Sequence, residues 1–296
     1  MSDFKNVIII GAGGNLGPAI LDSFLKDSSF NTTVLSREGS SSTFPPGTKV
    51  IHADYDSPDS LKSALKGQDV VVSLVASSVI GEQLKFVDAA IAAGVQRFLP
   101  SEFGSDTADS RTHFIPFSKA KYDIVKYLKS KESQLSWTSV ITGPFFDWCT
   151  KVGFNGLNYA EKTATLYDGG KAKFSATNLR TVGLAVVKAL EKPELTKNQY
   201  VYVSGLETSQ KEILAVAEQI TGTKWTVTHE STKDLAEGGK AKLQKGDGSG
   251  ILALLLAVTF GAEEQLGYVD PAKLWNDKLG VPKDDVEKSV RAAFGL

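Results

Sequence analysis

This 296-residue sequence has little cysteine, no surplus of basic charge and no long apolar run. Its single cysteine, Cys149, allows neither a disulfide within the chain nor a metal site built from several thiolates. The 33 lysine and arginine residues are balanced by 34 acidic residues, which argues against nucleic acid as a partner. The most apolar run, residues 251–260, is far shorter than the roughly 20 residues that span a membrane. It is typical of a buried helix.

The N-terminal residues also lack the basic stretch and cleavable apolar segment of a secretory signal. Together with the single free thiol, this favours a reducing compartment. We therefore expect a cytoplasmic protein, a monomer or homodimer, that has no metal, no nucleic-acid partner and no membrane partner.

Short β-branched runs alternate with helical patterns as far as about residue 150, which is the signature of βαβ units and a parallel sheet. The run at 69–75 is almost continuously apolar, as expected of a strand that helices cover on both faces. The predicted strands are Asn6–Ile10, Thr33–Ser36, Lys49–His52, Asp69–Val75, Gln96–Leu99 and Ser136–Ile141.

The pattern changes after Gly143 to a mixed sequence of helices and short strand candidates. The capping box from Ser209 to Glu212 predicts the start of a helix. The Lys- and Gly-rich segment 233–250 indicates a helix end followed by a loop. We expect a smaller α+β, substrate-binding lobe over residues 153–296, with some segments returning to the domain at 1–152.

A glycine-rich turn, Gly11-Ala-Gly-Gly-Asn-Leu-Gly17, follows the first strand and leads into a helical pattern. Gly11 suits a tight turn, the glycines at 13 and 14 let a pyrophosphate approach the backbone, and Gly17 lets helix and strand pack closely. The spacing resembles that of extended and atypical short-chain dehydrogenases. It predicts a Rossmann-type, doubly wound α/β domain that binds a dinucleotide through Gly11, Gly13, Gly14, Asn15, Leu16 and Gly17. The alternative is a purely structural turn.

Arg37, at the end of the second strand, bears on which dinucleotide binds. An acidic residue there is typical of NAD-binding enzymes, whereas a basic residue accommodates the 2′-phosphate of NADP. Arg37 can form charge-assisted hydrogen bonds to that phosphate. The sequence therefore favours NADPH, the alternative being a solvated arginine neutralised by Glu38.

Several runs together carry a resemblance to a known family. They are the glycine turn, Leu35-Ser-Arg37, Arg97-Phe-Leu-Pro-Ser-Glu-Phe-Gly104, Ser118-Lys-Ala-Lys121 and Trp137-Thr-Ser-Val-Ile-Thr-Gly-Pro144. The sequence thus resembles a fungal-type member of the NmrA-like and isoflavone reductase family of plants and fungi. The resemblance implies an NADPH-dependent reductase with a small-molecule substrate. We also predict Ala76, Ser77 and Gly143 as cofactor-binding residues.

Short-chain dehydrogenases usually carry a Tyr-x-x-x-Lys pair on the helix before the sixth strand. Such a string, Tyr122 to Lys126, lies too close to that strand. Counting back from Trp137 places the family lysine at Lys119, and Ile115 stands where the tyrosine would be. The resemblance implies that Lys119 is the catalytic residue and also contacts the cofactor. Without the family resemblance, the sequence would indicate only that Lys119 is one of several solvated lysines.

Aromatic residues after the sixth strand predict an apolar wall for a flat substrate, or else core where the two parts meet. The candidate substrate-binding residues are Phe103, His113, Phe145, Phe146, Trp148 and Phe154. Glu102, at the carboxyl edge of the sheet, either faces the ligand or tethers its loop. Cys149 is expected to be buried rather than a nucleophile.

Three functions fit this pattern. The first is an NADPH-dependent reductase acting on an aromatic, phenylpropanoid-like or secondary-metabolite substrate, as the resemblance implies. The second is a redox sensor of the NmrA type that binds NADP(H) without turnover. The third, a sugar-nucleotide epimerase, is disfavoured because Ile115 replaces the tyrosine.

Overall fold

The computed structural model describes residues 4–296 and contains a central sheet with a smaller lobe beside it. The strands are β1 (Asn6–Ile10), β2 (Asn31–Arg37), β3 (Lys49–Ala53), β4 (Val70–Ser73), β5 (Arg97–Leu99), β6 (Ser136–Ile141), β7 (Leu157–Asn158), β8 (Thr163–Tyr167), β9 (Lys173–Ala176), β10 (Gln199–Tyr202), β11 (Leu206–Ser209) and β12 (Thr226–Glu230). The helices are α1 (Gly17–Asp27), α2 (Pro58–Leu65), α3 (Gln83–Ala93), α4 (Pro116–Lys129), α5 (Phe146–Lys151), α6 (Leu179–Leu190), α7 (Pro193–Thr196), α8 (Gln210–Thr221), α9 (Thr232–Gln244), α10 (Gly250–Phe260), α11 (Asn276–Leu279) and α12 (Val286–Phe294). Short 3-10 helices lie at Ser77–Glu82, Ser110–Thr112, Asp168–Gly170 and Pro271–Lys273.

The central sheet of the described chain has seven strands in the order β10-β6-β5-β4-β1-β2-β3. All neighbouring strands are parallel. The chain runs outward from β1 in one direction through β2 and β3, and in the other through β4, β5 and β6. This arrangement places a switch point beside β1, as in Rossmann-type folds. The predicted doubly wound α/β fold is therefore confirmed.

Apolar layers cover both faces of this sheet. Val7 and Ile9 of β1 belong to the core beneath α1 and α6, whereas Ile8 and Ile10 belong to the core beneath α2, α3 and α4. Successive side chains of a strand point to opposite faces, so β1 must be apolar throughout. The burial of all four residues of β4 has the same cause.

The C-terminal half contributes to both parts of the molecule. Strand β10 pairs with β6 at the edge of the central sheet, and α6 packs against α1. The lobe contains the small sheets β12-β8-β7 and β11-β9, with a separate core that includes Leu166, Phe174 and Ile213. The chain therefore crosses the expected boundary at residue 152 more than once.

The segment 233–250 contains the predicted helix end, at Gln244, and a short loop before Gly250. Most of it is α9, which packs against α10. A side-chain carbon at Gly239 would lie 2.8 Å from the carbonyl oxygen of Gly250, and one at Gly250 would lie 2.3 Å from the carbonyl oxygen of Gly239. These glycines let two helices approach closely rather than end a helix.

The apolar run predicted to be a buried helix is α10, where Leu254, Val258 and Phe260 are buried and Leu252 is exposed. Leu254 and Val258 also pack against Ile115 at the start of α4, so the lobe contacts the central domain there. Within residues 4–296, no helix is both long and apolar enough to cross a membrane.

A buried arginine ties the far end of the sheet together. The Arg97 guanidinium donates hydrogen bonds to Ser136 Oγ at 2.7 Å, Thr138 Oγ1 at 2.7 Å and the Pro193 carbonyl at 3.0 Å. Burial lowers the pKa of Arg97 to about 10, against the opposing charge of Glu194, so the side chain stays cationic at neutral pH. It therefore joins β5, β6 and α7 through hydrogen bonds to neutral groups.

We expect Arg97→Met to lower the free energy of unfolding by about 2 kcal/mol, because the Pro193 carbonyl loses its donor inside the protein. The matched control is Arg291→Met, since Arg291 is exposed and pairs with Glu287 one helical turn away. That substitution should cost less than about 0.5 kcal/mol. Urea unfolding of both variants checks the prediction, and equal losses would contradict it.

Candidate active site

A cleft of about 690 Å³ opens at the carboxyl edge of the central sheet. The segments after β1, β2, β4 and β5 form its walls. Open α/β sheets bind ligands at this edge, beside the switch point.

The glycine turn after β1 has the backbone geometry that its spacing predicted. Gly11 has φ +82°, and a side-chain carbon there would lie 2.6 Å from the Leu74 carbonyl oxygen. At Gly17 such a carbon would lie 2.1 Å from the carbonyl oxygen of Ala12, so α1 starts in contact with the turn. Bare backbone is therefore required at both ends of the turn.

The middle of this turn forms a wall of the cleft. A side-chain carbon at Gly13 would lie 2.6 Å from Ser42 Oγ, so the segment after β2 closes onto the turn. Of the predicted cofactor-binding residues, those lining the cleft are Gly11, Gly13, Gly14, Asn15, Leu16, Arg37, Ala76 and Ser77. Gly17 lies behind the turn and shapes it.

The outer end of the cleft is polar. Arg37 is exposed at the end of β2 and lines the cleft together with Ser40 and Ser42. Lys85 and Asp56 also line the cleft, and Lys85 donates a hydrogen bond of 2.9 Å to Asp56, which lowers the pKa of that carboxyl group. A cation beside two hydroxyl groups suits a phosphate.

The turn after β5 connects several elements. The amide of Ser101 donates to Gln83 Oε1 at 2.8 Å, and its hydroxyl donates to the Val75 carbonyl at 2.8 Å. The Phe103 amide donates to the Val140 carbonyl at 3.0 Å. Phe103 has φ +35°, a conformation that is strained for a residue with a side chain. The turn is thus held by α3, β6 and the segment after β4.

Lys121 and Glu102 lie at the inner end of the cleft. The Lys121 ammonium is buried, donates to the main-chain carbonyl of Glu102 and lies 5.7 Å from the centre of the Phe117 ring. Burial lowers the pKa of Lys121, while the charge of Glu102 acts in the other direction. The buried Glu102 accepts a hydrogen bond of 2.5 Å from the Thr107 hydroxyl, and burial raises its pKa.

Lys119 lies outside the cleft, which differs from the expectation. Its side chain is 51% exposed and forms an ion pair with Asp123 at 2.5 Å. Residues two apart on a helix point to nearly opposite sides. The buried face of α4 contains Ile124, Val125 and Leu128, and Lys121 shares it. Counting back from β6 therefore missed the lysine in the cleft, although the spacing 121, 124, 125, 128 is the signal that identifies it.

The predicted aromatic wall is only partly in the cleft. Phe103 and Phe145 line it, whereas Phe146 is buried in the core of the lobe. Phe154 packs against that core with its ring 5.8 Å from Phe260, and Trp148 lies on the surface, 36% exposed.

Two further predicted residues support the cleft from outside it. His113 Nε2 lies 2.9 Å from the Thr107 carbonyl oxygen, and its ring packs against Tyr122 with 4.7 Å between ring centres. Gly143 has φ +63°, and a side-chain carbon there would lie 2.1 Å from the Ser175 carbonyl oxygen. Gly143 therefore permits the close passage of the chain from β6 into the lobe.

Comparison with known proteins identifies the family. Residues 3–241 match the model of the NmrA-like family. The chain belongs to the NmrA-like family. This NmrA-like protein is 36% identical over 288 residues to the oxidoreductase aprR of Aspergillus flavus, covering 96% of this chain and 97% of that protein. It is 30% identical over 242 residues to the isoflavone reductase homolog P3 of Arabidopsis thaliana, covering 76% of this chain and 77% of that protein.

A solved structure of AtPrR2 with NADP+ and (+)pinoresinol has the same fold as this NmrA-like protein. The TM-score is 0.81 at 23% identity, covering 99% of this chain and 100% of that one. The family resemblance expected from the sequence is therefore confirmed, and the chain is an oxidoreductase of that family.

For this NmrA-like chain we expect Gly17→Ala to lower the free energy of unfolding by about 1–3 kcal/mol, because the added methyl group overlaps the Ala12 carbonyl. The control is Gly14→Ala, whose methyl group would meet the Gly11 carbonyl oxygen at 3.4 Å. Urea unfolding measures both. A Gly17→Ala protein as stable as the control would show that the contact at Ala12 is easily relieved.

Proposed function

We propose that this NmrA-like oxidoreductase is an NADPH-dependent reductase acting on a small aromatic, phenylpropanoid-like or secondary-metabolite molecule. The observation that carries the proposal is that the buried Lys121 lines the same cleft as Arg37 and the glycine turn. A redox sensor needs the phosphate-binding end alone, so Lys121 favours the reductase. We also propose that it acts in the cytoplasm, as a monomer or homodimer.

The cleft fits NADPH. Bare backbone at Gly13 and Gly14 leaves room for a pyrophosphate at the start of α1, and Ala76 and Ser77 also line the cleft. Arg37, with Ser40 and Ser42 beside it, would hold the 2′-phosphate. NADPH, when bound, supplies the hydride.

Lys121 would supply the proton. Its lowered pKa makes the ammonium a better acid than an ordinary lysine, and its bond to the Glu102 carbonyl fixes its position. Four residues earlier, where the usual pair of short-chain dehydrogenases has tyrosine, stands Phe117, which has no hydroxyl group. We therefore assign to Lys121 the proton transfer that the sequence had led us to expect of Lys119.

The substrate would bind against the apolar wall formed by Phe103 and Phe145. Both rings line the cleft that Lys121 also lines. Flat apolar surfaces of this kind favour aromatic ligands. The AtPrR2 structure, which contains (+)pinoresinol, supports the same substrate class.

We expect Arg37→Ala to weaken NADPH binding about 10- to 100-fold and to leave NADH binding nearly unchanged, because only NADPH carries the 2′-phosphate. Arg111→Ala is the control, since Arg111 is exposed and pairs with Asp109. Fluorescence titration of both cofactors measures the change. Equal affinities of the parent protein for NADPH and NADH would exclude this role of Arg37.

We expect Lys121→Met to reduce turnover at least about 100-fold and Lys119→Met to leave it nearly unchanged. NADPH oxidation with a panel of aromatic enones, quinones and phenylpropanoid ethers provides the measurement. In the parent, kcat/KM should fall as pH rises through the lowered pKa of Lys121, because the acid form is lost there. Full activity of Lys121→Met would remove Lys121 from the mechanism, and no turnover of any compound by the parent would favour the sensor.

A further inference from the structure

We propose that His113 is a positioning residue, which holds the main-chain carbonyl group of Glu102 in place as the hydrogen-bond acceptor of the Lys121 ammonium. The inference rests on the reductase function proposed above, in which Lys121 supplies the proton. It gives His113 a role outside the cleft, in place of the substrate contact expected from the sequence. A chain of hydrogen bonds through Thr107 connects His113 to that carbonyl group.

The peptide group between Glu102 and Phe103 makes a hydrogen bond at each end. Its carbonyl oxygen accepts from the buried Lys121 ammonium, and its N–H donates to the Val140 carbonyl of β6 at 3.0 Å. Phe103, which follows this peptide group, has φ +35°. A residue with a side chain keeps such a strained conformation only where its surroundings hold it. The acceptor of Lys121 therefore stays in place only while this turn is held.

Thr107 holds the side chain of the same glutamate. The buried Thr107 donates a hydrogen bond from its hydroxyl group to Glu102 Oε2 at 2.5 Å. The other carboxyl oxygen, Oε1, is buried and has no hydrogen-bond partner within residues 4–296. In that part of the chain, the Thr107 hydroxyl group is thus the anchor of this carboxyl group.

His113 holds Thr107 in turn and connects it to α4. Its Nε2 lies 2.9 Å from the Thr107 carbonyl oxygen. A carbonyl oxygen can only accept, so Nε2 carries the hydrogen of this bond. The His113 ring also packs against the ring of Tyr122, with 4.7 Å between ring centres, and Tyr122 follows Lys121 on α4. The same helix therefore carries the ammonium and supports the ring that braces its acceptor.

This brace bears on the direction in which the ammonium points. An ammonium has three N–H groups, and the Glu102 carbonyl accepts one of them, which leaves the others for the cleft that Lys121 lines. Proton transfer depends steeply on the geometry of donor and acceptor. His113 does not line the cleft, so its loss should slow the chemical step without weakening cofactor binding.

The test compares two substitutions at His113 in the whole protein. A phenylalanine side chain keeps a ring against Tyr122 but has no N–H group, whereas a glutamine side chain has an N–H group for the Thr107 carbonyl. We expect His113→Phe to lower kcat about tenfold with the KM for NADPH unchanged, and His113→Gln to keep most of the parent activity. NADPH oxidation with the same panel of compounds measures both. His229→Phe, at an exposed position of β12, is the control and should match the parent.

The pH dependence separates positioning from a general loss of structure. The bond to the Glu102 carbonyl favours the ammonium form, so its loss should lower the pKa of Lys121. In His113→Phe, the fall of kcat/KM toward high pH should therefore begin about one pH unit lower than in the parent, and in His113→Gln it should not move. Both variants lack the imidazole and keep the charge of Glu102, so neither charge accounts for a difference between them.

A second measurement of the same titration needs no turnover. Acetic anhydride is a small reagent that acetylates only the neutral amine, and Lys121 lines the cleft through which it can enter. Mass spectrometry of the Lys121 peptide over a pH series then gives its titration. We expect acetylation of Lys121 to begin at lower pH in His113→Phe than in the parent, and at the parent pH in His113→Gln.

Equal kcat in His113→Phe and the parent, or equal losses in both His113 variants, would overturn the inference. A loss of kcat with an unmoved Lys121 titration would assign His113 a structural role and overturn it as well. Should His113→Phe fail to fold, Thr107→Val replaces it, and Thr107→Ser, which keeps the hydroxyl group, is its matched control. If the parent turns over no compound, the reductase proposal fails, and the acetylation titration alone decides the positioning role.

Discussion

The hydrogen bond from Lys121 to the main-chain oxygen of Glu102 joins the parts of this protein that make up the cleft. It holds α4 against the turn after β5. That turn is held in its strained form by bonds to Gln83 and to β6. The start of α4 in turn carries Ile115, on which α10 of the lobe packs. The position of one buried amine therefore depends on the sheet, the turn and the lobe together.

The sequence sufficed to predict the fold and the cofactor end of the cleft because their signals are local. At Gly11 the backbone passes so close to a carbonyl group that only glycine fits. This requirement is visible in the sequence at that single position, without knowledge of the rest of the chain. The apolar runs of β1 and β4 similarly follow from burial on two faces. Arg37 lies at the cleft because the end of β2 lies there.

The inner end of the cleft was harder to predict because it depends on helix phase and on packing between distant segments. Lys119 and Lys121 are two residues apart in the sequence but point to opposite sides of α4. Only knowledge of which face of that helix is buried shows which of the two lysines points into the protein. Phe146 lies in the core of the lobe and Phe154 packs against that core because of how the segment 146–154 meets it, which no local pattern specifies. In the same way, the sequence around Gly239 does not show that this glycine allows close contact between two helices.

The place of β10 at the edge of the sheet has a consequence for how the protein is made. Its neighbour β6 ends at Ile141, but β10 begins only at Gln199. At about 5–20 residues per second, the ribosome needs several seconds to synthesise the intervening chain. During that time β6 presents an unpaired edge, which is a site for wrong pairing between nascent chains. A chaperone that shields the emerging polypeptide would thus have its greatest effect in this interval.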